Sequence, residues 1–146
     1  MFKEMMELNF YCSINTKEIK RVLFIWTNNI YKPLTKNEMD SEFMRMLQEL
    51  REIAGFPFRI NSARRCVNHN SKISSHKKQG IHTFGKAVDI SVMSISTTQT
   101  LHLIKQAQDI GFTGLGLKLN GDRKGRFLHI DNRDESFSPP AVWTYS

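Results

Sequence analysis

The chain is short of cysteine and of long apolar runs. Its 146 residues hold two cysteines, which make neither a CxxC pair nor a dense framework. That spacing excludes a disulfide-stapled scaffold; Cys12 and Cys66 read as two free or buried thiols, with a disulfide as the alternative. No stretch is long and apolar enough to span a bilayer, and the richest early run, RVLFIW, is far too short. The start lacks a basic region followed by an apolar core and a small-residue cleavage site. No signal peptide is therefore expected, and action outside the cytoplasm would need something else to deliver the chain. Repeats, low-complexity tracts and internal linkers are absent too.

What is present is an ordinary globular composition, 40% hydrophobic and 24% charged. The length is that of one domain, read as residues 1–146 with an N-terminal segment of unclear role over 1–35 and a core over 36–146. The formal charge is +7. Such a balance favours acidic partners: nucleic acid, an anionic cell-wall polymer or an acidic membrane surface. The basic residues fall in small clusters (KEIKR, SARR, SHKK, DRKGR) with no basic tail and no single basic helix face. Charge alone thus gives nucleic-acid binding little support.

Along the chain, LNFYCSI and RVLFIWTNNIY are rich enough in aromatic and β-branched residues for short strands or buried segments. Thr35-Lys-Asn-Glu38 has capping-box spacing, which predicts a helix with Phe43, Met46, Leu47, Leu50, Ile53 and Ala54 on one face. Gly55 and Pro57 end it. FPFRINSA predicts a short strand, ARRCVNHNSKI a turn or short helix, and SSHKKQGIHTFG a loop. KAVDISV predicts a strand. Ser96 with Gln99 caps a second helix that carries Leu101, Ile104, Ala107 and Ile110 inward and ends at Gly111. GLGLKL and RFLHIDNR predict two more strands around the turn GDRKG. The aromatic tail PPAVWTYS is expected to dock. The expected fold is a single α+β domain: a small, mainly antiparallel sheet packed with helices, with a zinc site on the sheet face.

Strand alternation locates that site. In KAVDISV, Val88, Ile90 and Val92 fall on an apolar face, and Ala87, Asp89 and Ser91 on the other. In RFLHIDNR, Leu128 and Ile130 share the apolar face, and Phe127, His129, Asp131 and Arg133 the opposite one. If the two strands are neighbours, Asp89 and His129 converge. His82 precedes the first strand across a turn that Gly85 permits. Two imidazoles and a carboxylate make a catalytic zinc set with a fourth position left for water, and a cation would partner a buried Asp89; the alternative on spacing alone is that the two histidines are ordinary surface or hydrogen-bonded core residues. His69, His76 and His102 read as ordinary surface or hydrogen-bonded residues.

HTFGKAVDI fits the pattern H-x-x-G-x-A-x-D, FLHID fits F-x-H-x-D, and NSARRCVNHN resembles S-G-x-R-x-x-x-H-N. In this order the three elements resemble the M15-type zinc D-Ala-D-Ala carboxypeptidases and related peptidoglycan peptidases, particularly the short phage and bacterial forms. The resemblance covers about residues 40 to 146, including the AVWTY ending. It implies Zn2+ held by His82, Asp89 and His129. It also implies that Arg65 binds substrate or stabilises an oxyanion, the alternative being a structural salt bridge. Ser62 and Asn70 match positions that hold the loop, and His69 matches a histidine with no expected catalytic part.

Three departures stand out: Gly80 where many relatives have serine, Ala63 where they have glycine, and SHKKQ where a glycine-rich stretch is common. The general base is a further gap. The positions that carry it in better-known relatives are Arg126 and Phe127, and neither can serve. Asp131 is the nearby acid on the ligand face and the candidate base; alternatively it pairs with Arg133 or orients a ligand. Asp134 and Glu135 fall in a loop and are poorer candidates.

The leading expectation is a monomeric zinc metallopeptidase that hydrolyses D-Ala-containing peptidoglycan stem peptides, as carboxypeptidase or endopeptidase. It would be a cell-wall-lytic phage or prophage enzyme, an endolysin, with no membrane insertion and no nucleic-acid partner. The alternative is an inactive zinc-containing module of the same fold that binds cell wall or protein.

Overall fold

The computed structural model describes residues 39–74 and 79–146. The segments LNFYCSI and RVLFIWTNNIY, the capping box at Thr35, Cys12 and His76 lie outside the described residues.

Helix α1 spans Ser41–Ala54 and begins later than the Thr35 box predicts. Its N-cap is Asp40, whose carboxylate accepts the Phe43 N–H at 2.8 Å. Phe43, Met46, Leu47 and Leu50 are buried as expected, whereas Ile53 is exposed. Gly55 takes the left-handed conformation (φ 73°) and closes the helix as predicted. Strand β1 is only Ile60–Ser62, and α2 runs from Val67 to Ile73. A 3-10 turn, Ile81–Phe84, stands within the predicted loop. Strand β2 is Ala87–Ser91.

Helix α3 spans Thr97–Ile110 with a complete capping box: Gln99 N–H donates to the Ser96 hydroxyl, and Ser96 N–H to the Gln99 side chain. Leu101, expected inward, is 61% exposed. The buried stripe is Thr100, Leu103 and Ala107, with Ile104 and Ile110 packed beside it. That set follows i, i+3, i+4, i+7 spacing, which leaves Leu101 on the far side. Strands β3 (Gly114–Lys118), β4 (Phe127–Asp131) and β5 (Ala141–Thr144) complete the described elements.

The five strands order β1-β2-β4-β3-β5. All pairs are antiparallel except β3 with β5. The tail thus docks as an edge strand parallel to β3. One sheet face carries Val88, Ile90, Leu115, Leu128 and Ile130 into a core shared with Phe43, Leu47, Leu50, Leu103 and Ala107 of α1 and α3. Helices occupy that face, so the opposite face is left for polar groups. The molecule is a small α+β domain with a mostly antiparallel sheet, as the sequence predicts.

Candidate metal centre

The register places the polar residues in rows across the sheet. Ser62 pairs with Asp89, Asp89 with His129, His129 with Gly116, and Gly116 with Trp143. Asp89 and His129 are direct cross-strand neighbours, so their side chains rise from the same face. His82 comes from the 3-10 turn. Gly85, at φ 71°, ends that turn and returns the chain into β2.

Three donor atoms converge there. His129 Nδ1 lies 2.9 Å from Asp89 Oδ1 and 3.2 Å from His82 Nε2, and His82 Nε2 lies 3.4 Å from Asp89 Oδ1. The three residues are buried and form a group able to hold a metal ion. The remote ring nitrogens settle which atoms carry lone pairs. His82 Nδ1 is 2.6 Å from the Ala63 carbonyl oxygen, and His129 Nε2 is 2.8 Å from Asp131 Oδ2. Both oxygens only accept, so both remote nitrogens carry the proton. In neutral imidazoles the facing nitrogens then present lone pairs to each other and to an anionic oxygen, an arrangement that calls for a cation. Ligand atoms about 2.0–2.1 Å from a tetrahedral zinc would stand about 3.4 Å apart, close to the spacings found. The donor set fits a small divalent ion of that kind.

Protons compete for the same lone pairs. Burial pushes the His82 pKa down, and Asp89 only partly restores it. Burial also works to lower His129, but hydrogen bonds to Asp131 and Asp89 outweigh it and its pKa is raised. For Asp89, burial works upward and is outweighed by the two histidines, which hold its carboxyl well below the usual range.

The segment before α2 supports this centre. Arg65 Nη2 donates to Asp89 Oδ2 at 2.7 Å, and its Nε donates to the Ser62 hydroxyl at 2.9 Å. The Arg65 backbone N–H donates to the His82 carbonyl at 3.1 Å. The structural salt bridge set against a substrate role for Arg65 is therefore present, and it leaves Asp89 Oδ1 for the centre. Asn70 is buried against Gly80, where an added Cβ would stand 3.3 Å from its Nδ2.

Asp131 is fully buried. Its Oδ1 accepts Arg133 N–H at 3.0 Å and Arg133 Nε at 2.9 Å; its Oδ2 accepts His129 Nε2 at 2.8 Å and Arg133 Nη2 at 2.5 Å. Burial works to raise its pKa and is outweighed by the bonds from Arg133 and His129, so the carboxylate stays ionised. It touches the far nitrogen of His129, on the side away from the three converging atoms. Asp134 is exposed and engaged with Ser136, and Glu135 is exposed. His102 is exposed on α3, and His69 is half-buried.

Both strand glycines of β3 make room on this face. A Cβ at Gly114 would lie 2.1 Å from Asp131 Oδ1, and one at Gly116 would lie 2.7 Å from Trp143 Cε2. Trp143 thereby lies across β3, with its ring 5.1 Å from that of His129 and the Arg133 guanidinium 4.7 Å from its ring centroid. The sequence reading did not assign these residues to the site. The signals were the alternation of glycines in GLG and of aromatics in WTY. Cys66, expected as a free or buried thiol, is disulfide-bonded. It follows Arg65 directly, and the disulfide is the alternative that the sequence left open.

A family model described as Peptidase M15 matches residues 14–131. The chain belongs to the Peptidase M15 family. The match includes Arg65, His82, Asp89, His129 and Asp131, and stops before β5. M15 peptidases are metal-dependent, so membership and the donor set agree on a metallopeptidase acting on peptides. No curated protein matches the chain. No helix among the described residues is long and apolar enough to cross a membrane.

Proposed function

We propose that this M15 chain is a zinc peptidase that cleaves D-Ala-containing stem peptides of peptidoglycan, in the manner of a phage or prophage endolysin. The observation that carries the reading is the convergence of His82 Nε2, Asp89 Oδ1 and His129 Nδ1, within 3.4 Å of one another, with both remote ring nitrogens already donating elsewhere. These three residues would hold the zinc. When bound, zinc polarises a carbonyl and lowers the pKa of a water from about 15.7 towards roughly 7.

The chain's own groups have separate tasks. The Ala63 carbonyl and Asp131 fix the tautomers of the two imidazoles. Arg65 clamps Asp89 and still has N–H groups beyond its bonds to Asp89 and Ser62, with which to donate to a substrate oxygen. Asp131 acts as a positioning residue rather than as the base, because both its oxygens are engaged behind His129. Trp143 walls the site beside His129 and limits access of bulk water. The resemblance to short cell-wall peptidases supports the peptidoglycan substrate, and the +7 charge suits an anionic wall. The peptidase core is taken as residues 36–146.

The engagement of Asp131 favours a second reading, an inactive zinc-containing wall-binding module. Digestion of purified peptidoglycan, with mass analysis of the released muropeptides, separates the two. Stem-peptide products that vanish on chelation and return with zinc are expected. Binding to peptidoglycan without new peptide ends would establish the module instead.

A further inference from the structure

The site face carries one more polar group, which lies beyond the family match. Tyr145 follows β5, and its backbone N–H donates to the Leu117 carbonyl at 2.9 Å, so the pairing with β3 continues past Thr144. It stands two residues after Trp143 and therefore shares its face. Its ring lies 6.1 Å from that of Trp143 and 5.0 Å from that of Phe127. Phe127 stands two residues before His129 on β4, so Tyr145 covers the strand position next to a proposed ligand. The phenol is partly buried and within electrostatic reach of Asp89, Arg65 and Asp131. A phenol hydroxyl offers one O–H to donate as well as lone pairs to accept.

Other groups on this face have prior engagements. His82, Asp89 and His129 form the centre. Asp131 has both oxygens bonded to Arg133 and His129. Arg65 is bonded to Asp89 and Ser62. Tyr145 bears a hydroxyl that the assignments above leave without a task, and its ring sits beside the aromatic wall.

We propose that the Tyr145 hydroxyl is a catalytic hydrogen-bond donor that meets the carbonyl oxygen of the scissile peptide as that oxygen gains negative charge. The assignment rests on the peptidase reading and adds a second donor to Arg65. The phenol keeps its proton throughout. The oxygen of water bonds to the carbonyl carbon, the C–N bond breaks, and the nitrogen leaves as an amine carrying a proton from that water. Burial, with the negative charge of Asp89, raises the phenol pKa, which preserves the donor above neutral pH.

Tyr145→Phe in the full zinc-loaded chain is the test, because it retains the ring against Phe127. Inorganic phosphate serves as a tetrahedral oxyanion probe in calorimetry, so that one readout does not depend on turnover. The variant should bind phosphate about fivefold to tenfold more weakly, the value of one hydrogen bond. On peptidoglycan its kcat should fall roughly 10²-fold, with KM, zinc content and Tm essentially unchanged. Equal phosphate binding by the two proteins, or no binding by either, overturns the assignment. So does a variant kcat within about threefold of wild type, well short of the loss of one oxyanion donor. Tyr145-dependent phosphate binding without cleavage by the wild type would instead refute the peptidase reading and leave Tyr145 at an oxyanion position. If the variant does not fold, the ultraviolet difference spectrum of wild type on phosphate addition decides. A tyrosine signal is expected, and a flat spectrum refutes the proposal.

Discussion

Replacing Asp131 by Asn retains the side chain's shape and removes its charge. The carboxylate is fully buried, 2.8 Å from His129 Nε2 and 2.5 Å from Arg133 Nη2. An amide gives His129 a weaker acceptor and leaves the Arg133 guanidinium without its counter-charge. Loss of such a partner behind a metal-bound imidazole costs about 10- to 100-fold in metal affinity, or about 1.4–2.7 kcal/mol. Folding stability should fall by about 1–3 kcal/mol, because a buried charged hydrogen-bond partner is lost. Zinc affinity by chelator competition, a denaturant melt and the peptidase rate at saturating zinc measure the three consequences separately. The expected pattern is weakened zinc, a lowered melt midpoint and a rate largely recovered when zinc is saturating. Unchanged zinc affinity with a kcat loss of about a hundredfold or more would make Asp131 the general base and refute the positioning role.

Gly114→Ala places a methyl 2.1 Å from Asp131 Oδ1, so the carboxylate or the strand must shift; a stability loss of about 1–3 kcal/mol and weaker zinc binding are expected by melt and chelator competition. Removing zinc from the loaded protein with a chelator should lower Tm measurably, since metal at a hundredfold its Kd stabilises by about 2.7 kcal/mol; an unchanged Tm would speak against a metal bound to the folded state. Leu103→Ala should cost about 2–5 kcal/mol, whereas Leu101→Ala, on the exposed side of α3, should change the melt by less than about 0.5 kcal/mol. In a pH titration followed by tyrosine absorbance, one component should ionise later than an ordinary phenol and disappear in Tyr145→Phe. Because this pKa is raised in the fold, its contribution to stability is present below the ordinary phenol pKa and is lost as pH rises through the raised value.

The faces that build the centre were legible because each strand writes its two sides into a period of two; that the strands pair came from the fold. KAVDISV and RFLHIDNR each put aliphatics on one face, and that parity alone places Asp89 and His129 together once the strands are neighbours. Gly55, Gly85 and Gly111 were legible as turn or cap positions, and all three have positive φ. Other features left weaker marks. The Ala63 carbonyl that holds His82 belongs to the backbone, so no residue type announces it. The return of the tail as a strand parallel to β3 depends on long-range topology, and with it the placement of Trp143 and Tyr145. The start of α1 was misread because Thr35 and Glu38 have the right spacing, while Asp40 makes the cap. Leu101 was misread because an i, i+3 series drifts off a stripe of period 3.6. Arg65 and Asp131 were found as residues. A structural salt bridge for Arg65, and pairing with Arg133 or orienting of a ligand for Asp131, stood as alternatives in the sequence; the atoms involved, on Asp89 and on the far nitrogen of His129, came from the fold.

The central claim is that His82, Asp89 and His129 together hold one divalent metal ion. Elemental analysis of the purified chain beside His82→Ala, Asp89→Asn and His129→Ala, each checked for folding by its melt, tests it most directly. The account predicts one zinc per wild-type chain, and its loss in each folded variant. Wild-type protein that takes up no metal from zinc-containing buffer, or three folded variants that retain it in full, would contradict the account.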